Sequence, residues 1–215
     1  MRKVKKQSGF TLVEIAIVLV IIGLLLAGVL KGQELIESSR TKRMANDLTS
    51  FTAMITSYQD RYRGIPGDDA IATTTYSARW DAAAVTAVTS NGLIGAGADA
   101  AIFPAVATAE NTMAIQALRY AGFLEGNGAV VTLPANAAGG LIALTNNVMG
   151  FGDVNVVCLS KLSGKQAGAL DRLLDDGDNM KGSIRAILGT TLAAATPTTV
   201  AYADATPNFT LCKPV

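Results

Sequence analysis

The feature that most constrains this chain is an apolar run of 21 residues near its start, from Phe10 to Leu30. One residue in the run, Glu14, is ionisable, and the other twenty are apolar or are glycine or threonine. A helix rises ~1.5 Å per residue, so the run can cross the ~30 Å hydrocarbon core of a bilayer. We therefore predict a membrane-spanning helix over residues 10–30.

A secretory signal peptide is the alternative for such a start. Its apolar region is usually ~7–15 residues long, and a small-residue cleavage site follows it. No such site follows Leu30, because Lys31 begins a polar helical pattern that continues without a break. Residues 1–9 contain four bases and no acid, which favours a cytoplasmic location for this end of the chain. The bases are Arg2, Lys3, Lys5 and Lys6.

The composition limits what the rest of the 215-residue chain can do. Hydrophobic residues make up 50%, charged residues 16%, and the net charge is +1, which argues against a nucleic-acid-binding chain. Without the four leading bases, 14 bases remain against 17 acids. Histidine is absent and only two cysteines are present, which excludes histidine-dependent catalysis, histidine-ligated metals and a four-thiolate zinc site. We expect no enzyme activity.

Two interpretations of Glu14 are open. A carboxylate at the centre of a membrane helix costs about 2.5–3.5 kcal/mol on insertion scales. In the first interpretation, Glu14 lies near the start of the helix and reaches the interface, where the positive end of the helix dipole favours it. In the second, it pairs with a specific cation inside an assembly.

The residues around Glu14 favour the second interpretation through a family resemblance. The segment from Ser8 to Glu14, with the sequence SGFTLVE, follows a short basic leader and begins the apolar helix. It resembles the processing site of type IV prepilins and type II secretion pseudopilins. The resemblance implies that a prepilin peptidase cuts after Gly9 and N-methylates the new first residue, Phe10. It also implies that Glu14 neutralises the Phe10 amine of a neighbouring subunit during assembly.

The resemblance carries expectations about partners and location. The partners would be the prepilin peptidase, other pilin subunits and an inner-membrane assembly platform. The chain would lie in the bacterial inner membrane before assembly, and in an extracellular pilus or a periplasmic pseudopilus afterwards. We expect a structural filament subunit. A pseudopilin, or a minor pilin that acts as an anchored binding module, remains the alternative.

Beyond Lys31 the helical pattern becomes amphipathic. Apolar residues recur at alternating spacings of four and three, which predicts one buried stripe on a helix. They are Met44, Leu48, Phe51, Ile55, Tyr58 and Tyr62. The helix should end near Arg63, because Gly64, Pro66 and Gly67 follow. The predicted organisation is thus a leader over 1–9, a membrane helix over 10–30, its amphipathic continuation over 31–63 and a head over 64–215.

The head is predicted to be an antiparallel sheet packed on the amphipathic half of the long helix, an α+β and pilin-like fold. Residues 64–110 read as a long connection in which Trp80 anchors the loop and Asp68 and Asp69 form a helix cap or a solvated loop. One short helix is expected over Glu110–Ala121, and another from a capping box at Ser163–Gln166 to near Asp176. The predicted strands are Ala129–Leu133, Leu141–Thr145, Val154–Leu159 and Gly182–Leu188, followed by an extended Asn208–Cys212.

Cys158 and Cys212 are the only cysteines. Outside the cytoplasm they could form a disulfide that ties the C-terminal tail to the third predicted strand. Such a bridge would enclose 53 residues and stabilise the fold by about 4 kcal/mol in the chain-entropy description. The resemblance favours the bridge, because a late disulfide that closes a C-terminal loop is typical of pilins. Two buried thiols are the alternative.

One acidic cluster raises the question of a metal. Asp175, Asp176 and Asp178 lie with Asp171 around Gly177, and close oxygen ligands suit calcium, which some pseudopilins bind in a late loop. The spacing fits no EF-hand, however, and a helix end followed by a solvated turn is the commoner explanation. We expect no other cofactor.

Overall fold

The computed structural model describes residues 9–69, 90–95, 102–103, 109–189, 200–202 and 208–215. The predicted anchor Trp80 lies outside these ranges. Within them, helices and strands follow in the order α1 (Leu12–Tyr62), α2 (Glu110–Tyr120), β1 (Ile142–Asn146), β2 (Asn155–Leu162), α3 (Gly164–Leu174), β3 (Arg185–Leu188) and β4 (Phe209–Pro214). The chain divides into two compact units between Ser39 and Arg40.

The first unit is the apolar beginning of α1. Every residue from 9 to 31 is exposed, and no atom of the described residues beyond the adjacent helix backbone lies within 4 Å of a Cβ built at Gly23 or Gly28. By length and composition, α1 contains a segment able to cross a membrane. A helix that is apolar all round and exposed to water is unfavourable, so this segment requires an environment that its own chain does not supply.

The second unit begins with the amphipathic part of α1. The predicted stripe is confirmed, because Met44, Leu48, Phe51, Ile55 and Tyr58 are all buried, at 4% exposure or less. Tyr62 is partly buried and packs against the same core. The helix ends at Tyr62, one residue before the predicted end, because Arg63 adopts the left-handed conformation with φ 59°.

The turn after α1 depends on a glycine. Gly67 has φ +86°, and a Cβ at this position would lie 2.6 Å from the backbone nitrogen of Ala114 in α2. Only glycine permits both the positive φ and so close an approach to a backbone. The breaker run therefore ends one helix and also allows the next one to pack against the turn.

The four strands form one antiparallel sheet in the order β1-β2-β4-β3. The predicted antiparallel sheet is thus confirmed, and the last strand in the chain lies between β2 and β3. The capping box of α3 is also present. Ser163 Oγ accepts a hydrogen bond from the Gln166 amide at 3.2 Å, and Gln166 Oε1 accepts one from the Ser163 amide at 3.0 Å.

Two predicted strands need correction. Residues 129–133 form no strand; the Arg119 guanidinium donates to the carbonyls of Val130 and Thr132 at 2.6 and 2.8 Å, and so satisfies backbone groups that a sheet partner would otherwise bind. The strand predicted from Gly182 begins instead at Arg185. Gly182 has φ +74°, and the Ile184 amide donates to the Asp175 carboxylate at 2.9 Å rather than to a strand.

Asp68 and Asp69 were predicted to form a helix cap or a solvated loop, and Asp68 is not solvated. It is 5% exposed, and its carboxylate accepts hydrogen bonds from the Asn91 and Gly92 amides at 3.1 and 2.6 Å. Burial raises the pKa of this carboxyl, and the bond from Gly92 opposes that rise. Asp68 therefore holds residues 91–92 against the start of the head.

We predict that the α1 stripe is the main support of the head. Leu48→Ala should lower the free energy of unfolding of the head by about 2–5 kcal/mol, because it removes a fully buried side chain. Leu35→Ala is the matched control, since Leu35 lies on the same helix but is 61% exposed. Denaturant titration of both variants in detergent tests this. Equal losses would contradict the assignment of the stripe to the core.

Candidate processing and assembly site

The residues before α1 form an accessible junction. Helix α1 begins at Leu12, so Gly9 and Phe10 precede its first turn, and both are exposed. Phe10 is 84% exposed. Apart from the two chain neighbours of Gly9, no atom of the described residues lies within 4 Å of a Cβ built on Gly9. The described part of the fold thus does not require glycine at position 9, and an enzyme could reach the bond after it.

Thr11 and Glu14 form a capping box at the start of α1. The Thr11 backbone amide and its hydroxyl both donate to Glu14 Oε2, at 2.8 and 2.7 Å. In return, Thr11 Oγ1 accepts a hydrogen bond from the Glu14 amide at 3.3 Å. This reciprocal pair satisfies backbone donors that the helix itself leaves without partners.

The role of Thr11 was not predicted, although the sequence contains a signal for it. Thr-x-x-Glu before an apolar run is the pattern of a capping box, and residues 11–14 match it. The bonds show that the first interpretation of Glu14 has a structural basis, since the carboxylate lies at the positive end of the helix dipole. Only one oxygen of the carboxylate is used. Within the described residues, both hydrogen bonds to the Glu14 carboxylate end on Oε2, and Oε1 accepts none.

The comparisons with known proteins bear on this same segment. Residues 4–30 match the family described as the prokaryotic N-terminal methylation motif. The matched segment, 27 of the 215 residues, is the hallmark of the type IV pilin and pseudopilin family. No curated protein and no solved structure matched the chain. That family is structural rather than enzymatic, and its members are processed by a prepilin peptidase and assembled with other subunits.

The head of this pilin-like chain contains the disulfide that the cysteine pair suggested. Cys158 in β2 and Cys212 in β4 are directly opposite each other in the sheet register and are joined through their sulfur atoms. Both residues are fully buried. The bridge thus links neighbouring central strands, and the alternative of two buried thiols is wrong.

The acidic residues that lie together are not the same three that were considered as calcium ligands. The carboxylates of Asp171, Asp175 and Asp176 lie close together, with ligand oxygens within 4.8 Å of one another. Asp178 lies outside this group; its carboxylate accepts from the Met180 amide and pairs with Lys181 at 3.3 Å. Calcium binding by Asp175, Asp176 and Asp178 remains a prediction that the geometry does not test.

Asp171 has a structural role within that cluster. It is fully buried, its Oδ2 accepts a hydrogen bond from the Tyr202 hydroxyl at 2.7 Å, and its Oδ1 accepts one from the Gly177 amide at 3.2 Å. Burial raises the pKa of Asp171, while the bond from Tyr202 acts to lower it. Burial and the Asp171 carboxylate also raise the pKa of Tyr202. The pair therefore anchors residues 200–202 to α3.

We predict that Gly9 is required by the peptidase and not by the fold. Gly9→Val should leave the head folded but keep the leader attached, because the added bulk adjoins the bond to be cut. Gly32→Ala is the control, since a Cβ at this position also meets no described atom within 4 Å beyond the adjacent helix backbone, and Gly32 lies away from the junction. Intact-mass measurement gives the first residue. A Gly9→Val protein that begins at Phe10 would disprove the requirement, and a wild-type protein that keeps Met1 would disprove the processing itself.

We predict that Tyr202→Phe destabilises the head by about 1–3 kcal/mol near neutral pH, because a buried carboxylate oxygen loses its donor. The loss should shrink on acidification. The pKa of Asp171 is higher in the folded head than in the unfolded chain, so ionised Asp171 lowers the free energy of unfolding at neutral pH. This cost is removed as the pH falls from the folded-state pKa to the unfolded-state pKa of Asp171. The variant should have a still higher Asp171 pKa, so its recovery should begin at a higher pH.

Denaturant titrations at several pH values between neutral and the usual carboxyl range test this, with Asp171→Asn as the control that cannot titrate. A Tyr202→Phe loss that does not change with pH would show that the hydroxyl does not influence the ionisation of Asp171.

Proposed function

We propose that this chain is a structural subunit of a type IV pilus or a pilus-like filament, cut after Gly9 and N-methylated on Phe10. The observation that carries the proposal is the methylation motif over residues 4–30, which includes the exposed apolar start of a helix that continues into a folded head. The proposed organisation is a leader over 1–9, a membrane and filament-core helix over 10–30, an amphipathic helix over 31–63 and a head over 64–215.

The geometry at Glu14 supports a role for its charge in assembly. Cleavage after Gly9 would convert the Phe10 amide into a positively charged amine. This amine would lie one residue before the capping box, in a stretch where Thr11 and Glu14 are the only residues with polar side chains. Glu14 has one oxygen held by Thr11 and a second that accepts no bond within the described residues. We infer that the second oxygen receives the Phe10 amine of a neighbouring subunit.

Such a pair would set the register of an incoming subunit. A separated amine and carboxylate are each unfavourable in an apolar bundle, whereas a docked pair offsets that cost. A slipped subunit would leave both charges unpaired, so the aligned arrangement is favoured. The platform and the peptidase are the other partners that this proposal requires.

The disulfide favours a pilus over a secretion pseudopilus, since a late bridge is typical of pilins and many pseudopilins lack it. A pseudopilin and a minor pilin remain the alternatives. Quantifying the chain in sheared surface filaments separates these possibilities: a major subunit should dominate the filament fraction, a minor pilin should be rare in it, and a pseudopilin should be absent from native surface filaments.

We predict that removal of the Glu14 charge blocks assembly even when the helix cap is kept. Glutamine also closes a capping box, so Glu14→Gln should still accept the Thr11 amide but cannot pair with an amine as an ion. It should insert, be cut after Gly9 and assemble as poorly as Glu14→Ala. Thr11→Val is the converse variant, because it removes the hydroxyl bonds and keeps the charge; it should assemble better than either.

The measurement is the ratio of sheared filament to membrane-held protein in cells that lack the wild-type copy. Normal filament yield from Glu14→Gln, together with a low yield from Glu14→Ala, would show that Glu14 acts only as a helix cap. An intact mass for each variant confirms that a low yield does not arise from failed cleavage.

A further inference from the structure

The disulfide joins the last strand in chain order, β4, to its neighbour β2 in the sheet. Strand β4 is the last strand of the chain, yet it lies between β2 and β3. Among the described strands, β3 pairs only with β4. The sheet therefore cannot be completed until β4 inserts, and this insertion brings Cys212 beside Cys158.

Once the sheet is closed, both sulfur atoms are covered. The register places Ala143, Cys158, Cys212 and Arg185 in one row across all four strands. Both cysteines are fully buried. Residues directly opposite each other on antiparallel strands share a face, so Arg185 stands beside Cys212 on the side of the disulfide.

The Arg185 side chain fastens a loop over this side of the sheet. Its Nη1 donates to the Met149 carbonyl at 3.0 Å, and its guanidinium carbon lies 4.4 Å from the centre of the Phe151 ring. Met149 is 1% exposed and adopts the left-handed conformation at φ 53°, in the loop between β1 and β2. Arg185 therefore connects β3, at one edge of the sheet, to the loop that follows β1 at the other edge.

Burial has a chemical consequence for the disulfide. Thiol–disulfide exchange proceeds by attack of a thiolate on a sulfur through a mixed disulfide, so an attacking group must reach the sulfur. Neither Cys158 nor Cys212 offers a reachable sulfur in the folded head. We propose that the Cys158–Cys212 bond is formed by exchange with a disulfide-bearing oxidant while β4 is still undocked, and that closure of the sheet under Arg185 then seals it against exchange.

The proposed oxidation balances as two exchanges. One cysteine thiolate attacks the disulfide of the oxidant, forms a mixed disulfide and releases one oxidant thiol. The second cysteine thiolate attacks the chain-side sulfur of the mixed disulfide and releases the other. The chain loses two electrons and two protons, and the oxidant gains them as a dithiol.

Reduction kinetics of the full-length protein in detergent test the sealing. For the wild type, low urea should raise the reduction rate by the same factor as it raises the unfolded fraction, because the reductant must wait for the head to open. With increasing dithiothreitol the rate should level off at the unfolding rate measured separately. A reduction rate that low urea leaves unchanged, or one that exceeds the unfolding rate, in protein that keeps its native circular dichroism, would overturn the proposal.

Arg185→Ala tests the covering side chain. At high dithiothreitol concentration its reduction should be faster than its own unfolding, and low urea should change the reduction rate little. Arg119→Ala is the matched control, because Arg119 also binds loop carbonyls through a partly buried guanidinium but lies outside the disulfide row. If both variants are reduced only as fast as they unfold, Arg185 acts through stability alone and the sealing role assigned to it is wrong.

The order of events has its own test. Fully reduced, denatured protein is refolded, and oxidised glutathione is added either at once or after refolding has ended. Early addition should give the disulfide faster than late addition to protein with native circular dichroism. A chain that stays unfolded until it is oxidised would support the same order. Equal rates with a natively folded, reduced chain would disprove it.

Discussion

The structure depends on the change in apolar pattern along α1. Over its first part the helix is apolar on all sides and exposed, so the described part of the chain does not remove that surface from water. From Met44 onward the apolar residues form one stripe, and this stripe is buried in the head. A single helix thus belongs to two environments, one supplied from outside the chain and one built by the chain itself. The sheet, α2 and α3 are arranged to cover the stripe and each other.

Local patterns in the sequence predicted much of this fold, because they report local physics. The stripe, the breaker run after Tyr62 and the capping box at Ser163 each depend on contacts within a few residues, and the structure contains all three. The failures come from contacts between distant residues. Arg119 binds the carbonyls of a segment that looked like a strand, and Asp68 binds amides more than twenty residues away. No periodicity encodes such polar bonds, so the apolar run at residues 129–133 was taken for a strand and the burial of Asp68 was not foreseen.

The candidate site was more visible in the sequence than the head, because its parts are contiguous. The junction at Gly9, the acid at Glu14 and the apolar run occur in one segment, so the motif could be recognised without a fold. The disulfide could be predicted for a different reason, since two cysteines allow only one intramolecular pair. What the sequence could not give was the insertion of β4 between β2 and β3, which makes the bridge a link between central strands and buries it.

The capping box also changes how the two interpretations of Glu14 relate to each other. They seemed exclusive as long as the carboxylate was assigned one partner. Thr11 binds a single oxygen, and both of its bonds form within the chain, before any neighbour is present. The local bonds hold the carboxylate at a defined place at the start of the helix. A rotatable side chain would have to lose that freedom during docking, whereas a side chain already held by Thr11 has lost it in advance. The helix cap can therefore prepare the charge for assembly, and the two roles of Glu14 support each other.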